Sequence, residues 1–166
     1  MTYGKLQVAA PEDLATVPGT DAYLLEQLGH GKTTILTLGT DVTGTEVVDD
    51  WAGSAAGADP KAATVIYFDG PISPAAYAAA KRAAKDRVQP ALRDVPGLIR
   101  LVTLWDPTAR STASIMLADS IETLEEAARV VNSTTLLPDE DPALLPGPDR
   151  ADMHRVVSHR RKESRS

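Results

Sequence analysis

Ala63-Thr-Val-Ile-Tyr-Phe68 and Leu98-Ile-Arg-Leu-Val-Thr-Leu-Trp105 are the two runs on which the fold turns. Each is short and rich in β-branched or aromatic residues, and each is bounded by turn residues, Asp69-Gly70-Pro71 after the first and Pro96-Gly97 before the second. That is the signature of a strand. A strand covered on one side alternates apolar with polar residues, because successive side chains point to opposite faces. Here Ile66 and Phe68 alternate with Val65 and Tyr67, and Ile99 and Leu101 with Val102 and Leu104. Both faces are therefore greasy, and both must be covered.

Working outward, the stretch from Ala63 to Ser158 reads strand, helix, strand, strand, helix, strand. Ser73 stands where an N-cap belongs and Pro74 at the first helical position, where its missing N–H costs nothing. Helical spacing then runs to about Val88, with Tyr77, Ala80, Ala84 and Val88 on one side and Lys81, Arg82, Lys85 and Asp86 on the other. Pro90 predicts a kink or restart, and Pro96-Gly97 an end. Asp106 to Arg110 is a hairpin loop leading into a strand from Ser111 to Ala118. On that strand the row Ala113, Ile115, Leu117 is expected to face the helices. Asp119 is expected to cap the second helix, with Glu122 closing a capping box and Ile121, Leu124, Ala128 and Val131 as the buried stripe. Glu125 and Arg129 form an i,i+4 pair on its wet side. After a proline-rich loop, Asp152 to Ser158 gives the last strand.

The order βαββαβ is ferredoxin-like. Two helices shelter one face of a four-stranded sheet, so a second sheet must cover the other, from another chain or from elsewhere in this one. Phe68-Asp-Gly-Pro-Ile-Ser-Pro74, the helix leading into Pro90-Ala-Leu92, Val95-Pro-Gly-Leu98 and the two strands that follow resemble the dimeric α+β barrel superfamily, which includes antibiotic-biosynthesis monooxygenase-like and stress-responsive barrel domains. The resemblance spans the last two-thirds of the chain. It implies two sheets packed face to face, as a homodimer or as an intrachain pseudo-dimer, and a small central lumen. It also implies a cofactor-independent monooxygenase activity on phenolic or polyketide-like substrates. The asparagine and tryptophan such enzymes use have no matching positions here: the sole asparagine, Asn132, ends a helix, and Trp51 and Trp105 fall elsewhere. No catalytic residue transfers, and no histidine matches a proximal haem ligand.

The organisation expected is an N-terminal lobe over 1–60, a ferredoxin-like barrel domain over 61–158 and a basic tail over 159–166. In the lobe, Leu6 to Ala9 is a strand, Ala22 to Leu28 a short helix stopped by Gly29, and Thr33–Leu38 and Thr45–Trp51 the arms of a hairpin. Ala52 to Pro60 is a small-residue linker. Two readings of the lobe stand: a reduced copy of the second half, or an extension adding strands to its sheet.

With 166 residues, 43% of them hydrophobic, the chain suits one sizeable core. It has no cysteine, which excludes disulfides and thiolate chemistry and fits a reducing cytoplasm. Net charge is −6; the last eight residues carry +3, leaving −9 on the rest. An acidic body argues against a nucleic-acid partner. No run is long enough to cross a bilayer, and no membrane partner is expected.

Candidate chemistry is sparse. Gly29-His-Gly-Lys-Thr-Thr34 echoes a phosphate-binding loop, but Glu26 occupies the slot of the first glycine and a strand follows where a helix is needed. None of the three histidines has a partner at metal-ligand spacing, so neither metal nor cofactor is expected. Tyr67, Arg100, Trp105 and His154 are polar-capable side chains on sheet strands. They are the candidate lumen residues, able to hold a small flat or acidic ligand, beside the plainer reading in which all four serve packing. The loop from Ser133 to Asp149 is an anchored arm with Asp139-Glu140-Asp141 as a solvated tip. The functional expectation is a small-molecule-binding or assembly module, with the monooxygenase as the alternative.

Overall fold

The computed structural model describes residues 1–8, 14 and 17–161. Eight strands run β1 (Tyr3–Val8), β2 (Asp21–Gln27), β3 (Thr33–Gly39), β4 (Thr45–Ala52), β5 (Ala62–Phe68), β6 (Leu98–Asp106), β7 (Ser111–Ala118) and β8 (Arg150–Arg161). They close into a barrel in the order β1-β3-β2-β8-β5-β7-β6-β4, every neighbour antiparallel and β4 returning to β1. The layer that covers the open face of the second sheet is thus supplied by the chain's own first four strands.

The closure has an internal regularity. Within the first four strands the order is β4-β1-β3-β2, and within the last four it is β8-β5-β7-β6. Each is fourth, first, third, second. The two sheets join at β2·β8 and β4·β6, second strand to fourth in both cases, as a pseudo-two-fold axis requires. Both junctions carry a register shift, at Leu24/Leu25 and at Val47/Asp49, where the strands bend around the barrel.

Helices attach to the second half. Pro74–Ala83 (α1) is capped by Ser73, whose Oγ accepts the Ala76 N–H at 3.1 Å. It widens into a π-helical turn, Ala84–Val88, and restarts as the short helix Gln89–Leu92 (α2). Pro90 has no N–H and its ring crowds the carbonyl four residues back; the wider turn lies just ahead of it and absorbs both defects. Along α1 the inner residue is Ala83, while Ala80 is exposed, so the buried face is rotated from the expected one. The third helix, Ile121–Asn132 (α3), is capped by Ser120, not Asp119: Ser120 Oγ accepts the Thr123 N–H at 3.1 Å. Asp119 instead takes the Thr123 hydroxyl at 2.8 Å. Leu124 and Ala127 are its buried residues, Ala128 is exposed, and Arg129 pairs with Glu126, not Glu125.

Two cores result. The helix-facing core gathers Leu92, Val95, Leu98, Leu101, Met116, Leu124 and Ala127. The lumen core holds Tyr23, Leu25, Leu36, Val102, Ile115 and Leu117, all but fully buried, with others around them. Ile115 and Leu117 therefore point into the lumen and Met116 toward the helices, the reverse of the expected facing. The cleaner apolar row of β7 lies on the lumen side. An eight-stranded barrel has an interior just wide enough for side chains to fill, and here they fill it.

The N-terminal half departs most from expectation. The segment expected as a helix over Ala22–Leu28 is strand β2, with Leu28 in the turn after it, despite the helix propensity of Ala, Leu, Glu and Gln; Tyr23 and Leu25 pack in the lumen, and their backbone pairs with β3 and β8. β3 and β4 form no hairpin; β1 lies between them and pairs with both. The 52–60 segment is docked: the Gly53 and Ala55 N–H groups donate to the Ile99 and Leu98 carbonyls at 2.9 and 2.8 Å, and the Ser54 hydroxyl donates to the Val95 carbonyl at 2.6 Å. The first strand ends at Val8, with Ala9 outside the described residues. At the other terminus β8 takes in His159, Arg160 and Arg161 of the expected tail, and 162–166 lie outside the described residues.

Candidate functional site

Strand polarity gives the barrel two ends. Asp21, Asp50, Arg100 and His159 lie toward one; Thr45, Tyr67, Asp106 and Arg150 lie toward the other, where Gly4 joins them through its pairing with Thr45.

Arg100 closes the first end. Val102 and Leu104 on the same side of β6 are lumen residues, so its side chain projects inward. Its Nε and Nη2 donate to the two oxygens of Asp50 at 2.8 and 2.6 Å, a bidentate pair with the adjacent β4. Nη1 donates to Asp21 Oδ2 at 2.6 Å and to the Tyr23 hydroxyl at 2.9 Å, both on β2. β2 and β6 stand four strands apart around an eight-stranded ring, so this contact crosses the lumen. The Asp50 hydrogen bonds lead in holding the guanidinium protonated, against the cost of its burial. Burial raises the Tyr23 pKa, opposed by the charge of Arg100. His159 stacks on Tyr23 and reaches Asp59 at 3.4 Å.

Trp105 is not in the lumen. It lies on the outer side of β6 against Tyr77 of α1, ring centroids 4.3 Å apart, with the Lys81 ammonium 5.5 Å from the Tyr77 ring. The alternation along β6 that carries Arg100 and Leu104 inward carries Trp105 outward.

Tyr67 and Arg150 face each other on β5 and β8 at the second end, and the Arg150 guanidinium lies 4.0 Å over the Tyr67 ring. They border an open hollow of about 300 Å³ lined also by Gly4, Leu6, Leu104, Ser111 and Ala113. Burial pushes the Tyr67 pKa up, with Arg150 opposing.

Arg150, Asp152, His154 and Val156 succeed one another on a single face of β8. Val156 is a lumen residue, and the register with β5 pairs Arg150, Asp152 and His154 with Tyr67, Val65 and Ala63. The row grades from exposed at Arg150, through half-buried at Asp152, to His154 at 3% exposure. His154 sits opposite Gln27 of β2, and its Nδ1 is buried without a hydrogen-bond partner among the described residues. Desolvation lowers its pKa; the Asp152 carboxylate pulls the other way. The sequence marked His154 and Tyr67 but missed Arg150 and Asp152. The i, i+2, i+4 spacing on a lumen strand was the available signal, hidden because the strand was expected to start only at Asp152.

Gly29 and Gly31, at φ +82 and +66, turn β2 into β3. With a strand on either side the segment has no helix N-terminus to meet a phosphate. His30 is exposed there. Among the described residues no group of three His, Cys, Asp or Glu is placed to hold a metal, and no helix is long and apolar enough to cross a membrane.

No family model matches the chain, and no curated protein is significantly similar to it. Solved structures are. The haem-degrading enzyme LmHde of Listeria monocytogenes superposes with a TM-score of 0.60 at 11% identity, covering 93% of this chain and 98% of that one. A ferredoxin-fold protein related to antibiotic-biosynthesis monooxygenases, also from Listeria monocytogenes, gives 0.60 at 12%, covering 95% of each. A major regulator of staphylococcal pathogenesis gives 0.67 at 11%, covering 95% and 100%. The chain has the fold of the dimeric α+β barrel superfamily. In this α+β barrel the pseudo-dimer is intrachain, and the matches run through nearly the whole of both chains. The helices on β5–β8 are those expected; no helix of comparable length stands on β1–β4 among the described residues.

Proposed function

We propose that this α+β barrel is a small-molecule-binding or assembly module without chemistry of its own. The observation that carries the reading is the filled lumen. Tyr23, Leu25, Leu36, Val102, Ile115 and Leu117 occupy its interior, and Arg100 bridges opposite walls at one end. A catalytic site needs a cavity in which polar groups converge on one substrate position. Here Arg100 is saturated by two carboxylates, Trp105 is on the outside, and His154 is enclosed. What stays accessible is the hollow at Tyr67 and Arg150. Self-association belongs to the same reading, through an outer surface, since the sheet face that called for a partner is already covered. A cytoplasmic location fits the absence of cysteine.

The second reading is a cofactor-independent monooxygenase acting on a phenolic or polyketide-like substrate. It is supported by neighbours described as a monooxygenase-like protein from Listeria innocua and as an anthrone oxidase-like protein, at 10% and 16% identity. Haem, the substrate class named for LmHde, fits the residues poorly. His154 is enclosed, His159 is engaged by Tyr23 and Asp59, and His30 stands alone on a hairpin turn. Oxygen uptake with anthracyclinone-type phenols decides between the two readings. The module predicts none above buffer; turnover that scales with protein concentration replaces it with the monooxygenase.

A further inference from the structure

The two ends of the barrel use arginine in opposite ways. At one, Arg100 donates four hydrogen bonds to Asp50, Asp21 and Tyr23 and is 20% exposed. Four of its five N–H donors are spent. At the other, Arg150 is 58% exposed, and its one carboxylate contact among the described residues is Asp69 at 3.9 Å, beyond hydrogen-bond reach and between two well-exposed groups. Its guanidinium carbon lies 4.0 Å over the centre of the Tyr67 ring, a cation–π contact that anchors the group while leaving N–H donors for a ligand.

The surroundings add the rest of a site. Leu6, Leu104 and Ala113, on lumen-facing rows of three strands, give an aliphatic floor beside Tyr67. Ser111, two residues from Ala113 on the same face of β7, adds a hydroxyl. Asp106, the other acid at the rim, has Oδ1 occupied by the Thr108 and Ala109 N–H groups, where it shapes the β6–β7 turn. The hollow is about 300 Å³, the size at which small-molecule sites begin.

We propose that this hollow binds a small planar carboxylate: the flat apolar body on the Leu6–Leu104–Ala113 floor, the carboxylate bidentate on Arg150. The bound acid displaces the weak Asp69 contact. The proposal deepens the binding-module reading and rests on it. Arg150 acts as the charge reader and Tyr67 as the positioning residue that anchors it.

The test is a chemical-shift titration of the ¹⁵N-labelled protein with sodium 2-naphthoate and, separately, with its neutral counterpart 2-naphthalenemethanol. The site predicts saturable shifts at Gly4–Leu6, Ser111–Ala113 and Asp149–Ala151, with naphthoate binding about tenfold tighter than the alcohol, the worth of one charge-assisted contact. Arg150→Gln, an exposed change, should bring naphthoate down to the affinity of the alcohol; Arg150→Lys should recover only part, having charge without the fork. Naphthoate shifts gathered instead around Tyr77 and Trp105 overturn this site but leave a binding module standing. Equal affinity of the two probes, an unaltered Arg150→Gln variant, or no saturable shift up to millimolar probe overturns the proposal. Oxygen uptake, measured apart, tests the module reading itself.

Discussion

Arg100 on β6 and Asp21 on β2 meet across the barrel, Nη1 to Oδ2 at 2.6 Å, joining walls that share no backbone hydrogen bond. With Asp50 and Tyr23 they form a network in which one cation answers two carboxylates. Removing the cation leaves both acids facing each other at the lumen's end. Because Asp50 is 39% exposed, Arg100→Ala should cost toward the lower end of a broken buried pair, about 3 kcal/mol. Urea unfolding at constant m-value measures it. The triple change Arg100→Met with Asp21→Asn and Asp50→Asn should recover most of the loss. Failure of Arg100→Ala to lower the midpoint would mean the network is ornamental.

His154 predicts acid sensitivity with a definite window. Its folded pKa is lowered by burial, so the unfolded chain binds the proton at higher pH than the native one. Stability from this group is complete above the unfolded value, about 6.5, and falls as pH drops below it. Gln27 and Ala63 flank it from β2 and β5 and bring no charge; Asp152 on its own strand opposes the shift. His154→Gln should flatten the slope of unfolding free energy between pH 7 and 5. A variant as acid-sensitive as the parent would move the cause elsewhere.

How much of this was readable in the residues varies with how local the determinant is. β5, the Ser73 cap, the disturbance near Pro90 and the β6–β7 hairpin are set by neighbours in sequence, and they stand as expected. That both faces of β5 and β6 are covered also followed from alternation. What alternation cannot say is which face meets which layer: it leaves Ile115 and Leu117 expected toward the helices, although they line the lumen. Tyr23 and Leu25 lie in a segment whose local preference is helical; only the long-range demand for a β8 partner makes it a strand. The same limit governs the site. Tyr67 and His154 fell on lumen rows, but Trp105 is turned outward by the alternation that turns Arg100 inward. That Arg100 would be saturated by Asp21, 79 residues away, depends on barrel closure.

Gly53 tests the docked linker. A Cβ there would run into the Leu98 carbonyl, which is backbone and cannot swing aside. Gly53→Ala should push the 52–60 segment off β6 and cost about 1–3 kcal/mol, the range for forced overpacking. Hydrogen exchange should quicken at the Gly53 and Ala55 amides. Gly57, with no atom within 4 Å of its added Cβ, has φ +92 and is a control for backbone strain alone.

The proline-rich arm should come loose in acid. Asp141 Oδ1 caps the turn Pro142–Leu144 from the Ala143 N–H, as an exposed acid can. Glu140 is different: its side chain is only 4% exposed, Oε1 accepts the Leu137 N–H and the Arg87 Nε–H at 2.8 Å each, and Oε2 is buried without a partner among the described residues. Arg87 also donates to Thr134 at 2.7 Å, and Arg82 pairs with Asp139. The acids expected at a solvated tip therefore tie the arm to the α1–α2 helix. The Leu137 N–H, then Arg87, hold the Glu140 carboxyl below its ordinary value, and Arg82 does the same for Asp139. For depressed carboxylates the stabilisation is present above the unfolded pKa and is lost as pH falls through the folded one. Cleavage between Thr134 and Asp141 by an acid-active protease should therefore rise steeply below about pH 4. At neutral pH, Glu140→Gln should raise cleavage in the same segment by a neutral protease, while Asp141→Asn, which keeps an acceptor for Ala143, should not. Equal protection in the parent and Glu140→Gln would show that Leu137, Leu144 and Leu145 hold the arm without the ion pair.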